Sequence, residues 1–285
     1  MNDKSQNNVA WLCLKISLVF FWLANMGVML SGIQPPVIAA VGIIKLYQFS
    51  FLFTAWGKWA TGAALVALSA LYILEKQMLF TLFFQFALSL IIISRHESGG
   101  MFFHTTVYTV VFAVQWLAYV QHRINPLFNF EKYRVHYGVQ IVAALYMLAG
   151  ISKLMASGIN WVNSGELFSL QVIKNYSFIY FAQGNKAVLN EGMQLANNLL
   201  QQRNFIRVLL SASLLLELGC FAALISQRVR RVYALGLLAM HAGIKIIMAI
   251  PFGVVAPVMV IFFINPLYYV VRFMQQLKNK TRSST

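Results

Sequence analysis

Apolar residues in this chain gather into long blocks separated by short polar punctuation, and the blocks have one recurrent length. They cover 10–30, 59–74, 78–93, 101–119, 135–154, 205–225, 232–250 and 254–271. Helices of about 17–23 residues cross a hydrocarbon core of about 30 Å at a rise of 1.5 Å per residue. The pattern therefore predicts an all-α, polytopic membrane helix bundle of about eight transmembrane helices without a soluble domain, one membrane domain over 1–285. Between the first two blocks, 34–56 is apolar but opens Pro35-Pro36 and carries Lys45, Gln48 and Thr54. It reads as a re-entrant or interfacial segment, with an extra crossing as the competing reading. The stretch 157–204 reads as an extracytoplasmic loop, with an amphipathic helix in view near 189–200.

Composition agrees with that reading. Hydrophobic residues make up 60% and charged residues only 10% of the chain, against roughly a quarter charged in soluble domains. The formal charge of +15 resembles a nucleic-acid signal until its placement is considered. Lys76, the set Arg123/Lys132/Arg134, the set Arg228/Arg230/Arg231 and the set Arg272/Lys278/Lys280/Arg282 all punctuate span ends. With eight crossings they fall on one side together with Lys4, which the positive-inside rule makes cytoplasmic, and both termini follow. A crossing within 34–56 would put the later clusters outside. The charge thus speaks for a lipid bilayer with anionic headgroups and against nucleic acid. The first block is too long for a cleavable signal core and is expected to stay as an anchor. Cys13 and Cys220 both lie inside spans, without metal-ligand spacing.

Ionisable residues at membrane depth are few: Lys15, Lys153, Glu217, His241 and Lys245, with His104 near the outer end of the fourth span. Such groups cost free energy in hydrocarbon, so they pair, face the bundle interior or serve a site. Lys15 is expected to snorkel to the inner surface, and His104 to bond between helices. His241 and Lys245 stand four apart on one helix face, either as a polar seam or as the wall of a cavity. Glu217 is the natural partner for one of the lysines. Lys153 ends the fifth span just before Ser157-Gly158. Turned outward it snorkels; turned inward it becomes a candidate base. Composition and spacing leave both open.

The run Tyr146-Met-Leu-Ala-Gly150-Ile-Ser-Lys153-Leu154, followed by Asn160-Trp161-Val-Asn-Ser-Gly165-Glu166, resembles the signature of the HTTM (horizontally transferred transmembrane) family, to which vitamin K-dependent gamma-glutamyl carboxylases belong. Leu214-Leu-Leu-Glu217-Leu-Gly219, and His241 with the later Pro251-Phe252-Gly253, resemble further blocks of the family. The likeness is strongest over 130–266. It implies that Lys153 acts as base on a reduced quinone of the vitamin K or menaquinone type, which with oxygen yields a base strong enough to take a carbon-bound proton from a peptide glutamate. His241 is implied to be catalytic beside it and Trp161 and Glu217 to stand in the pocket; His104 and Lys245 are candidate pocket residues by position, and no metal is expected. Trp161 and Glu217 are architectural on this reading. The departures are Gly99-Gly100 where the carboxylases have a histidine, a longer linker after Lys153, and no sequence for the large extramembrane substrate domain. The chain is also similar in size and span count to the membrane component of bacterial sporulation-delaying-peptide maturation systems.

Three expectations follow. The first is a quinone-dependent enzyme of the bacterial inner membrane that modifies a secreted peptide. The second is a non-catalytic maturation or export partner for a small toxin-like peptide, working with a partner protein. The third is a carrier or immunity-like protein, although no repeated pair of broken helices of the kind carriers use is evident.

Overall fold

The computed structural model describes residues 3–33, 40–99, 106–250 and 255–283. All regular structure among them is helical. Its elements are α1 Asp3–Gly32, α2 Ala55–Ile73, α3 Met78–Glu97, α4 Thr106–Ile124, α5 Phe130–Ser157, α6 Gly165–Gln183, α7 Lys186–Gln201, α8 Arg203–Leu218, α9 Gln227–Met248, α10 Val255–Phe263 and α11 Pro266–Ser283. Short 3-10 turns lie at Gly42–Lys45, Ser50–Phe53, Gly158–Asn163 and Gly219–Leu224.

Each predicted span falls on helical structure where it is described, the eighth on two helices, yet the count of eight crossings is not what length and hydropathy return. Among the described residues five helices are long and apolar enough to cross a membrane: Gln6–Gly32, Met78–Glu97, Tyr133–Asn163, Arg203–Leu224 and Gln227–Met248. A sixth is a pair, Val255–Phe263 and Pro266–Leu277, bent by 47°. The remaining two predicted spans are the 19-residue helices α2 and α4. Their polar residues dilute the apolar run: Lys58 and Thr61 in α2, and Gln115, Gln121, His122 and Arg123 in α4. The protein is a multi-pass helical membrane protein.

Two compact units divide the chain. The first comprises 1–142 and 257–285. Its interior is built on Trp22, Tyr72, Tyr108 and Phe112, all fully buried. The Trp22 indole N–H donates to Ser89 Oγ (2.8 Å), and Tyr72 Oη donates to Gln115 Oε1 (2.7 Å). Polar side chains in this core therefore bond across helices rather than to lipid, as a hydrocarbon solvent demands. Residues 40–54 form two 3-10 turns rather than a helix. They are pinned by a bond from the Val41 N–H to Ser98 Oγ (2.9 Å) and by the buried Arg95 guanidinium stacked 4.3 Å from the Phe53 ring.

Lys15 departs from expectation. It does not snorkel but is 2% exposed, donating to the Ile73 carbonyl (2.7 Å) and to Glu75 Oε1 (2.9 Å). Glu75 also accepts from the Trp11 indole (2.5 Å) and pairs with Arg134 at 3.7 Å. Glu75 lies in the short α2–α3 connection, so a carboxylate comes to the lysine and the lysine has no need to reach water.

The second unit covers 143–256. The stretch 157–204, read as a loop, folds mainly as the helical hairpin α6–α7. Gly184 ends α6 in the left-handed region (φ 69°), its N–H bonded to the Tyr180 carbonyl, and Asn185 Oδ1 caps α7 by accepting the Ala187 N–H (3.0 Å). Gly192 lets the hairpin close: a Cβ there would collide with the Tyr176 side chain. Val172, Ala196, Leu199, Ile206, Leu210 and Met248 form the unit's core, with Trp161 and Phe168 packed against it.

Candidate functional site

In the second unit, Tyr146, Gly150 and Lys153 recur at i, i+4 and i+7 along α5, so they share one face of the helix. Gly150 sets how near α8 can come. A Cβ added there would stand 2.9 Å from Leu218 Cδ2 and 3.2 Å from Glu217 Cβ. Across this gap Lys153 Nζ donates to both carboxylate oxygens of Glu217, closing an ion pair. The side chain of Glu217 is 6% exposed and that of Lys153 27%. The carboxylate is thus the buried partner and the ammonium sits at the rim.

After α5 the chain turns through Gly158, whose φ of 59° suits glycine, into the 3-10 segment that carries Trp161. The Trp161 ring lies 4.9 Å from Lys153 Nζ, a cation–π contact. Lys153 and Trp161 line a cavity of about 380 Å³, closed by Leu167, Phe168, Leu210 and Met248. Lys153 is the one ionisable residue in its wall. Asn175 Nδ2 ties α6 to the Met248 carbonyl (2.8 Å), fixing that side of the cavity. A volume in the range of about 300–1,000 Å³, apolar walls and few polar groups are what small-molecule sites have.

His241, 7% exposed on α9, shares a hydrogen bond of 2.6 Å between its Nε2 and the Tyr146 hydroxyl, the donor depending on the imidazole tautomer. Tyr146 is thus the link between the histidine and the face of α5 that holds Lys153. The structure brings together Lys153, Glu217 and Trp161, and joins His241 to that face through Tyr146. It does not bring in Lys245, which is exposed one turn beyond the buried His241. A four-residue step rotates about 40° around a helix, enough to put the two on different sides of a packed boundary. His104 lies outside the described residues. Among the described residues no three His, Cys, Asp or Glu side chains gather as a metal site. Cys13 and Cys220 are free and buried.

The sequence reading missed Tyr146 as a site residue, although its spacing of seven from Lys153 places it on the same face. It also missed Gly150 as the reason that Glu217, rather than another acid, is the partner.

The lysine–carboxylate pair can exchange a proton within a hydrogen bond. The lining fits a reduced quinone: aromatic and aliphatic side chains for a ring, and the Lys153 amine with Ser152, Ser157 and Ser164 as the polar groups. Comparison with protein-family models, curated proteins and solved structures found no match to this chain.

Proposed function

We propose that the protein is a quinol-dependent membrane enzyme of the HTTM, carboxylase-like type that modifies a secreted peptide, with Lys153 as its base. The carrying observation is that Lys153, paired with Glu217, lines a largely apolar cavity whose wall also holds Trp161. Bound there, a reduced quinone supplies an acidic hydroxyl and, with oxygen, the strong base that removes a carbon-bound proton. With a quinol bound, Glu217 would accept the ammonium proton of Lys153, the freed amine would be the group placed to take a ring-hydroxyl proton, and Trp161 and Phe168 would hold the ring and exclude water. His241 and Tyr146 fix the α5 face on which Lys153 stands. In this reading both termini lie in the cytoplasm, the basic clusters all lie on that side, and the membrane is the bacterial inner membrane.

The test supplies reduced menaquinone or vitamin K and oxygen to membranes containing the native chain or Lys153→Ala at equal expression, with mass spectrometry of the quinone. Epoxide from the native chain and none from the variant is the expected result. Epoxide from both removes Lys153 from the chemistry.

A second reading has its own observation. α6 exposes Leu167, Leu170, Phe178 and Phe181 at 60–82%, recurring along one side of the helix. Such a face suits a non-catalytic maturation or export partner for a small secreted peptide. At equal amounts of folded protein, Lys153→Met then keeps function while Trp161→Ala abolishes it.

A further inference from the structure

We propose that α11 is a membrane-surface helix seated in the headgroup–acyl boundary of a leaflet containing anionic phospholipid. The eighth predicted block, 254–271, treats its residues as part of a crossing. The structure breaks that block at Asn265, which has φ 55°, and α11 leaves the axis of α10 at 47°. The depth of this break is fixed by its contacts within the first unit. Asn265 Nδ2 donates to the Ala10 carbonyl (2.7 Å), at the turn of α1 where the next residue, Trp11, bonds Glu75 in the α2–α3 connection. The bend therefore lies level with a loop carboxylate and its cationic partners Lys15 and Arg134, at the membrane boundary rather than in the hydrocarbon. All 18 residues of α11, roughly 27 Å of helix at 1.5 Å per residue, come after it.

What α11 presents there has two chemistries. Val270, Phe273, Met274 and Leu277 are 51–63% exposed and recur at i, i+3, i+4 and i+7, a single apolar stripe. The sequence from 266 to 285 also carries Arg272, Lys278, Lys280 and Arg282 and contains no Asp or Glu. A helix projecting into water leaves the stripe unexplained, and one crossing hydrocarbon leaves the cations unexplained. The headgroup–acyl boundary satisfies both, and the uncompensated cations select anionic headgroups.

The experiment places a spin label on Val270→Cys, Phe273→Cys or Leu277→Cys, and on Arg272→Cys or Gln276→Cys, in the full chain reconstituted into vesicles. The native Cys13 and Cys220 are buried, and all five substitutions are at exposed positions. Relative accessibility to oxygen and to a water-soluble nickel chelate reports depth. In vesicles of phosphatidylglycerol and phosphatidylcholine, positions 270, 273 and 277 are expected at one common shallow depth, with 272 and 276 aqueous. In pure phosphatidylcholine the three apolar positions are expected to become several-fold more accessible to the chelate. Depth that changes steadily from 270 to 277, in either direction, overturns the in-plane assignment. Five aqueous positions in the anionic vesicles overturn membrane seating. Equal accessibility in the two lipids overturns the selection for anionic headgroups.

Discussion

Removing either member of the Lys153–Glu217 pair should cost unequal amounts, because the two are unequally buried. Lys153→Met leaves a carboxylate whose side chain is 6% exposed with no cation beside it. Stranding a charge in this way destabilises by about 3–5 kcal/mol. Glu217→Gln leaves a lysine that is already 27% exposed on a flexible stem, with an amide oxygen still in reach. The loss is then that of a charge-assisted hydrogen bond, about 1.5–3 kcal/mol. The double variant Lys153→Met/Glu217→Leu strands nothing and fills the same volume with apolar groups, so it should be more stable than Lys153→Met alone. A double-mutant cycle closed with Glu217→Leu as the second single variant should return a compensating interaction of about 2–3 kcal/mol. The assay is reversible unfolding in mixed micelles by increasing SDS fraction, read by far-UV circular dichroism. A double variant that costs the sum of its parts refutes the coupled, buried pair. The same protein separates the functional readings: the enzyme reading predicts a refolded but inactive double variant, whereas the partner reading predicts recovery of function with stability.

The remaining predictions concern other contacts. Burial pushes the Glu75 carboxyl up, but the hydrogen bond and charge of Lys15, the Trp11 indole and Arg134 together outweigh it and hold the group below its ordinary value. A depressed carboxyl stabilises the fold above the unfolded-state value of about 4.3 and loses that contribution as pH falls through the folded one. Acid titration of stability should therefore show a drop below about pH 4.3 that Glu75→Gln removes, the substitution itself costing about 3 kcal/mol at neutral pH because it strands Lys15, whose side chain is 3% exposed, with the Ile73 carbonyl still accepting from it. Gly150→Val should push Leu218 and Glu217 from α5 and cost about 1–3 kcal/mol, measured by the same SDS titration, with Gly150→Ala milder because the first contact is the flexible end of Leu218. Tyr146→Phe leaves buried His241 without its hydroxyl partner and should cost about 1–3 kcal/mol while retaining helical content.

What was legible in the sequence is what one helix decides alone. Long apolar blocks announced α1, α3, α5, α8 and α9, and Lys153 and Glu217 stood out because ionisable groups in such blocks are few. What pairs with what depends on neighbours. Lys15 read as a snorkelling lysine because Glu75 falls just outside the apolar block and only the α2–α3 turn delivers it. His241 and Lys245 read as one face, yet a step of four residues was enough to bury one and expose the other. The hairpin α6–α7 carried local signals in Gly184-Asn185, a helix stop followed by a cap, but only its end near 189–200 read as a helix. The break at Asn265-Pro266 was likewise written in the chain, since proline opens helices well and continues them badly; the surrounding apolar run outweighed it.

The measurement that tests the account most directly is the location of a bound quinone. A menaquinone analogue with a photoactivatable group is reconstituted with the native chain, illuminated, and its adducts are mapped by peptide mass spectrometry. The account predicts labelling within 152–168 or at Leu210 or Met248, displaced by unlabelled menaquinone and weakened in Trp161→Ala. Displaceable labelling confined to the first unit, or labelling in the second that excess menaquinone does not displace, contradicts it.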